Sequence, residues 1–210
     1  MKHLLFGIAG IASLTAANPS LAATQIFYSD FESVSGGPGP GTFTTVAAAD
    51  GWTGSPNIEL QNNVAGAPAA TGGAVFVELD TSGNSMMSRT IVAAGTYDLS
   101  FLYSARPNVA AGSNGISVLL NGVLLTPPGN LDLGGGSTTA WAQYSARFTA
   151  TAGSTLTFAA TGASDSLGGY VDNIGLSAVP EPSTWALMIL GFGAMGGAMR
   201  RRRTAEPATA

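Results

Sequence analysis

Of the 210 residues only 10% are charged, 29 are glycine and 11 proline, and cysteine is absent. The one histidine (His3) and one lysine (Lys2) stand at the N-terminus, so the body of the chain has no imidazole base, thiolate, Schiff-base lysine, disulfide or ordinary zinc site. Between residues 24 and 178 three arginines (Arg89, Arg106, Arg147) face ten carboxylates, a net charge of −7 that repels phosphate backbones and argues against a nucleic-acid partner.

Met1-Lys2-His3 is a short basic start, followed by the apolar run Leu4 to Ala12. Ser20-Leu21-Ala22 then places small residues at the −3 and −1 positions of a cleavage site, with cleavage after Ala23 as the near alternative. This order predicts a signal peptide over 1–22, handled by the Sec translocon and signal peptidase. The lack of cysteine does not oppose export, because oxidising compartments permit disulfides without requiring them.

Residues 24–178 are the size of one domain, with enough chain for a core. Gly36 to Gly41 forms a flexible loop without phosphate-binding context. Ala74 to Leu79 and Met86 to Val92 read as strands. Tyr97, Leu99, Phe101 and Tyr103 alternate with Asp98 and Ser100, which predicts a half-buried strand. Ile116 to Leu120 and Val123 to Leu125 flank Asn121-Gly122, the strongest short hairpin signal. Ala142, Tyr144, Ala146 and Phe148 oppose Gln143, Ser145 and Arg147. Leu156 and Phe158 oppose Thr155 and Thr157, and Gly169 to Ser177 closes the series. No long stretch has helical period. Seven to nine short strands in this length predict an all-β domain, a single jelly-roll β-sandwich.

At the far end Pro180 and Pro182 stop any preceding strand, since neither can donate to a ladder. Ser183 or Thr184 can cap a helix over 184–199, and Trp185 to Met199 carries no charge. Fifteen residues span about 22 Å at 1.5 Å each, short of a hydrocarbon core of roughly 30 Å. A transmembrane helix therefore needs Ser183, Thr184 and snorkelling arginines to complete it. Arg200, Arg201, Arg202 and Arg203 fix its C-terminus inside by the positive-inside rule, and 204–210 reads as a disordered tail.

Pro180-Glu181-Pro182, an apolar segment opening Trp185-Ala186, and the terminal arginines closely resemble, in that order, the PEP-CTERM sorting signal (179–203). The resemblance implies recognition by an exosortase and cleavage near the Pro-Glu-Pro. It also implies anchoring at the inner membrane before sorting, then a place on the cell surface or in the exopolysaccharide matrix of a Gram-negative bacterium. An ordinary tail anchor is the alternative. Similar tails occur on proteins labelled ice-binding, although Thr155 and Thr157 are only a fragment of the flat threonine array such an activity needs.

Within the domain, Asp30-Phe31-Glu32, Trp52, Glu59-Leu60, Val77 to Asp80, Gly95-Thr96-Tyr97, Asn121-Gly122, Trp141 and Gly169 to Ile174 follow one another in an order that resembles the galactose-binding-like jelly-rolls. Many carbohydrate-binding modules belong to that group, and the resemblance implies sugar binding only loosely. Asp172 shares the parity of Tyr170, Ile174 and Leu176, which predicts a core-facing carboxylate in need of a partner. The resemblance implies a structural Ca²⁺ held by Glu32 and Asp172, with backbone carbonyls and Asp80 as further ligands. A carboxylate satisfied by arginine or backbone amides meets the same demand. Trp52 and Trp141 offer planes for stacking on sugars, or else close an end of the sandwich. Arg106, before Pro107, either reads a carboxylated sugar or pairs with an Asp.

Glu78 and Asp80 fall on one side of one strand, and paired carboxylates can hydrolyse glycosides. No Gly-x-Ser-x-Gly elbow, Walker loop or His-Glu-x-x-His helix accompanies them. The expectation is therefore a non-catalytic, exported surface protein with carbohydrate binding, and a small secreted glycan hydrolase is the alternative.

Overall fold

The computed structural model describes residues 23–64, 67–70, 72–180 and 182–203. The predicted signal peptide, Glu181 and the tail beyond Arg203 lie outside the described residues. Among the described residues twelve strands and one helix follow in chain order: β1 Thr24–Ser29, β2 Thr42–Ala49, β3 Trp52–Asn62, β4 Val75–Glu78, β5 Met86–Ile91, β6 Gly95–Ser104, β7 Ile116–Leu120, β8 Val123–Leu124, β9 Asn130–Leu131, β10 Ala142–Ala150, β11 Ser154–Ala160, β12 Tyr170–Val179 and α1 Pro182–Arg203.

All strand pairings are antiparallel and run β10-β6-β12-β4-β3-β5-β11-β7-β8, with β1 on β12, β2 on β3 and β9 on β7. β3 turns this path into two layers. Its first residues, Thr53 to Ser55, pair with β5, while Glu59 to Asn62 pair with β4. One long strand thus serves both layers of a jelly-roll β-sandwich, the architecture that the alternating pattern predicts.

The core fills with side chains at alternate positions of both layers. Leu99, Phe101 and Tyr103 of β6 meet Leu156 and Phe158 of β11 in one apolar cluster. The Phe101 and Phe158 rings cross edge to face at 5.0 Å between centroids. Trp52 lies between Phe27 and Phe158, at 5.7 and 5.5 Å, and donates its Nε1–H to Ser29 Oγ at 3.0 Å. The Asn121-Gly122 hairpin forms as predicted, with φ of 51° and 79° at the two turn residues, the left-handed pair a type I′ turn requires.

The twelve strands exceed the predicted seven to nine, and β1, β2, β3 and β9 have no counterpart among the segments read from sequence. β9 has two residues, and β1 and β2 expose most of their side chains, so neither shows a clean alternation.

One parity expectation is overturned. Val171, Ile174 and Leu176 face the core, whereas Tyr170 joins a second cluster on the outer side of the sheet. The β6–β12 register slips between Asp172 and Gly175, with Asn173 at φ 51°. A bulge there inserts one residue and flips the alternation. Asp172 is buried, yet it belongs to the outer face with Tyr170 and is not a core carboxylate.

The tail is also corrected in one respect. α1 extends over 22 residues, longer than the predicted 184–199. Among the described residues, however, no helix is long and apolar enough to cross a membrane. Gly191, Gly193, Gly196 and Gly197 dilute the apolar run, which ends at Arg200. Ile189, Leu190, Phe192 and Met199 are each about two-thirds exposed, so the helix presents apolar side chains outward.

Candidate functional site

The outer face of the layer containing β2, β3, β4 and β12 carries a row of polar side chains at fixed register. Thr45 on β2 stands opposite Glu59 on β3, Glu59 opposite Glu78 on β4, and Glu78 opposite Tyr170 on β12. These positions alternate with the core residues Ile58, Leu60 and Val77, so the strand period dictates the row. Like charges directly opposite destabilise a sheet. Here Gln61 relieves the conflict: its Nε2–H₂ donates to Glu59 Oε1 at 2.8 Å and to Glu78 Oε2 at 2.5 Å.

Glu78 is 1% exposed and makes further contacts. Its Oε1 accepts the Gly168 N–H at 2.6 Å, and Arg106 Nη1 lies 3.0 Å from Oε2. Burial pushes the Glu78 carboxyl up to about 9; Arg106 opposes the rise, while the charge of Glu59 and a side-chain hydrogen bond to it reinforce it. Glu78 therefore holds its proton well above the usual carboxylate range. The Arg106 guanidinium supplies the positive charge that faces this carboxyl. Burial also raises the Tyr170 hydroxyl, whose oxygen has no hydrogen-bond partner.

Beside this network lies a second apolar cluster of Ala67, Phe76 and Tyr170, with Trp141 packed over it. The Phe76 ring centroid is 5.6 Å from that of Trp141 and 4.7 Å from that of Tyr170. Trp141 Nε1–H donates to the Pro68 carbonyl at 3.0 Å.

The structure separates the residues singled out from sequence. Trp52 is 0% exposed, which removes it from any ligand surface: its apolar plane is spent on the core. Trp141 is half-buried and closes the outer cluster, with its N–H committed. Arg106 pairs with a carboxylate, but with Glu78 rather than an aspartate, and also donates to the Ser166 carbonyl at 3.4 Å. Asp80 does not act with Glu78. Its Oδ2 accepts the N–H groups of Asp165, Ser166 and Leu167 at 2.9, 2.8 and 3.4 Å, pinning that loop against the sheet. Thr155 and Thr157 stand opposite Thr90 and Ser88 of β5, and on the other side Thr157 meets Leu119 of β7, so the threonine row ends after one strand pair.

Glu32 and Asp172 approach each other without forming a closed set. Glu32 Oε1 accepts the N–H groups of Ala74 and Val75 at 2.6 and 2.8 Å. Asp172 Oδ1 accepts the Asn173 N–H at 2.7 Å. Burial lifts the Asp172 carboxyl to about 7, the Asn173 amide opposing and Glu32 and Asp30 adding to the rise. Two carboxylates with one oxygen each already on amides fall short of the six to eight oxygens calcium takes. Among the described residues, no group of three His, Cys, Asp or Glu side chains is placed to hold a metal ion. For Asp172 the partner the geometry displays is a backbone amide, the Asn173 N–H.

At the β2 edge of the polar row a groove of about 390 Å³ opens between Phe43, Thr45, Asn57, Glu59, Thr81 and Ser166. Sequence reasoning missed Glu59, Gln61 and Phe43. Glu59 and Gln61 alternate with Ile58 and Leu60, a pattern that marks them as outward-facing. Their burial under loops is visible only in three dimensions.

A β-sandwich with a polar outer face and an apolar helix ending in arginines defines a two-part protein: a folded module and a sorting tail. The tail belongs to a known type, because residues 178–203 match the PEP-CTERM protein-sorting motif. The match indicates an exported, exosortase-sorted protein. No curated protein matches the chain. Among solved structures the sandwich is similar to a family 35 carbohydrate binding module from Clostridium thermocellum, with TM-score 0.43 and 16% identity over 66% of this chain and 99% of that one. It is also similar to CBM35 from Paenibacillus barcinonensis, with TM-score 0.41 and 22% identity over 66% and 100% of the two chains. The CBM22-1 xylan-binding domain of the same organism gives TM-score 0.46 and 13% identity over 76% and 97%.

Proposed function

We propose that this chain is a non-catalytic surface protein, exported through Sec, delivered by an exosortase to the outside of a Gram-negative bacterium, and bound there to exopolysaccharide through its sandwich. The match of residues 178–203 to the sorting motif carries the export and sorting half of this reading. Before sorting, α1 engages the inner membrane: its exposed apolar side chains favour lipid over water, and Arg200 to Arg203 are attracted to anionic headgroups.

The chemistry of the sandwich supports binding over turnover. A glycosidase needs two carboxyl groups flanking a bond, roughly 5–9.5 Å apart and open to substrate. Glu78 is sealed beneath Gln61, Arg106 and Gly168, and Asp80 is buried with its Oδ2 on three backbone amides. Only Glu59 reaches the groove.

The test uses the full chain in a host that carries an exosortase. Wild type is expected at the cell surface, and the double variant Pro180→Ala/Pro182→Ala at the inner membrane with its tail intact. Equal surface delivery of both overturns the sorting half. Binding of extracellular glycans without turnover supports the other half; turnover that disappears in Glu78→Ala replaces it with the hydrolase.

A further inference from the structure

The geometry points to the groove between β2, β3 and the 164–167 loop as the ligand site, and to uncharged polysaccharide residues as its ligand. This rests on the reading of the sandwich as a glycan binder and adds where and what it binds.

Three observations converge on the groove. Thr81 is 8% exposed, and its Oγ1 is buried without a hydrogen-bond partner while its residue lines the groove; Asn57 Oδ1 is in the same state. An unpaired buried hydroxyl or amide oxygen is destabilising, so both atoms gain from a hydroxyl-bearing ligand that reaches them. Phe43, 58% exposed, stands at the rim on the same face of β2 as Thr45. Its ring is a flat apolar plane next to hydrogen-bonding groups, the combination that suits the C–H face and hydroxyl edge of a pyranose.

Charge narrows the ligand class. None of the groove-lining residues is a lysine or arginine, and Arg106, the nearby cation, is held by Glu78. Glu59 is the one ionisable group at the groove, and the sandwich as a whole is acidic. An anionic sugar finds no counter-charge there and meets a repulsive field. A neutral sugar needs none, and the Glu59 carboxyl can accept one of its hydroxyl protons.

The experiment measures binding of the purified full chain to neutral glucan, mannan and xylan oligosaccharides and to oligo-uronates. Phe43→Ala, Thr81→Val and Trp141→Phe are compared with wild type, and each variant's melting temperature is recorded. Thr81→Val keeps the shape and deletes the hydroxyl, and Phe43 is exposed, so both variants are expected to fold. The expected result is saturable binding of a neutral oligosaccharide, weakened about tenfold or more by Phe43→Ala and by Thr81→Val and unchanged by Trp141→Phe. Neutral-glycan binding untouched by Phe43→Ala and Thr81→Val overturns the groove and leaves the broader reading standing. Binding of oligo-uronates alone overturns the ligand class. No binding to any glycan overturns both the groove and the broader reading.

Discussion

Asp172 provides the sharpest test of how the outer face is built. It is 1% exposed, and its carboxyl is lifted from 3.8 to about 7, chiefly by burial. The folded state therefore keeps this proton to a higher pH than the unfolded chain does. Its contribution to stability is complete below about pH 4, declines as pH rises, and is gone above pH 7. At about 1.4 kcal/mol per pH unit the full excursion is about 4 kcal/mol, a large share of an ordinary domain's 5–15 kcal/mol. Asp172→Asn keeps the shape and removes the titration. Urea denaturation of the purified chain and of Asp172→Asn between pH 4 and pH 8.5 isolates this group, because Glu78 and every other carboxylate titrate in both proteins. Relative to wild type, the variant should gain stability as pH rises, by up to about 4 kcal/mol, with the change finished near pH 8. A difference between the two that stays constant across this range, or moves the other way, refutes the assignment. The same samples address calcium. With Glu32 and Asp172 each using an oxygen on backbone amides, neither EDTA nor added calcium should move the denaturation midpoint. A calcium-dependent rise present in wild type and lost in Asp172→Asn shows instead that the pair holds the ion.

Two further outcomes follow from packing. In Gly168→Ala the new Cβ lies 2.8 Å from Asp80 Cβ and 3.0 Å from the Asp80 backbone nitrogen, with Glu78 Oε1 at 3.3 Å. Backbone cannot yield there, so thermal unfolding should show a loss of about 1–3 kcal/mol, and a variant as stable as wild type removes the close approach of that loop to β4. Trp52→Ala empties the centre of the sandwich and should cost about 3–5 kcal/mol in urea denaturation, whereas a loss under 1 kcal/mol is incompatible with its burial between Phe27 and Phe158.

The sequence by itself determined the local features. Period-two alternation marked β6, β10 and β11; the Asn121-Gly122 turn marked its hairpin, because only left-handed φ values close a two-residue loop tightly. Composition excluded whole classes of chemistry, and Pro180 to Arg203 announced a sorting tail, since that signal is linear and is read without a fold. Tertiary structure decided the rest. The bulge at Asn173 reverses which face Asp172 occupies, and no periodicity rule anticipates one inserted residue. Glu59, Gln61, Glu78 and Arg106 stand up to 47 positions apart and become one buried polar network only because β3 and β4 pair in register and Arg106 folds back over them. Phe43 and Thr81 are ordinary residues in the linear text. Their meaning lies in a ring left bare and a hydroxyl left unpaired, and both depend on which chain segments come to cover them.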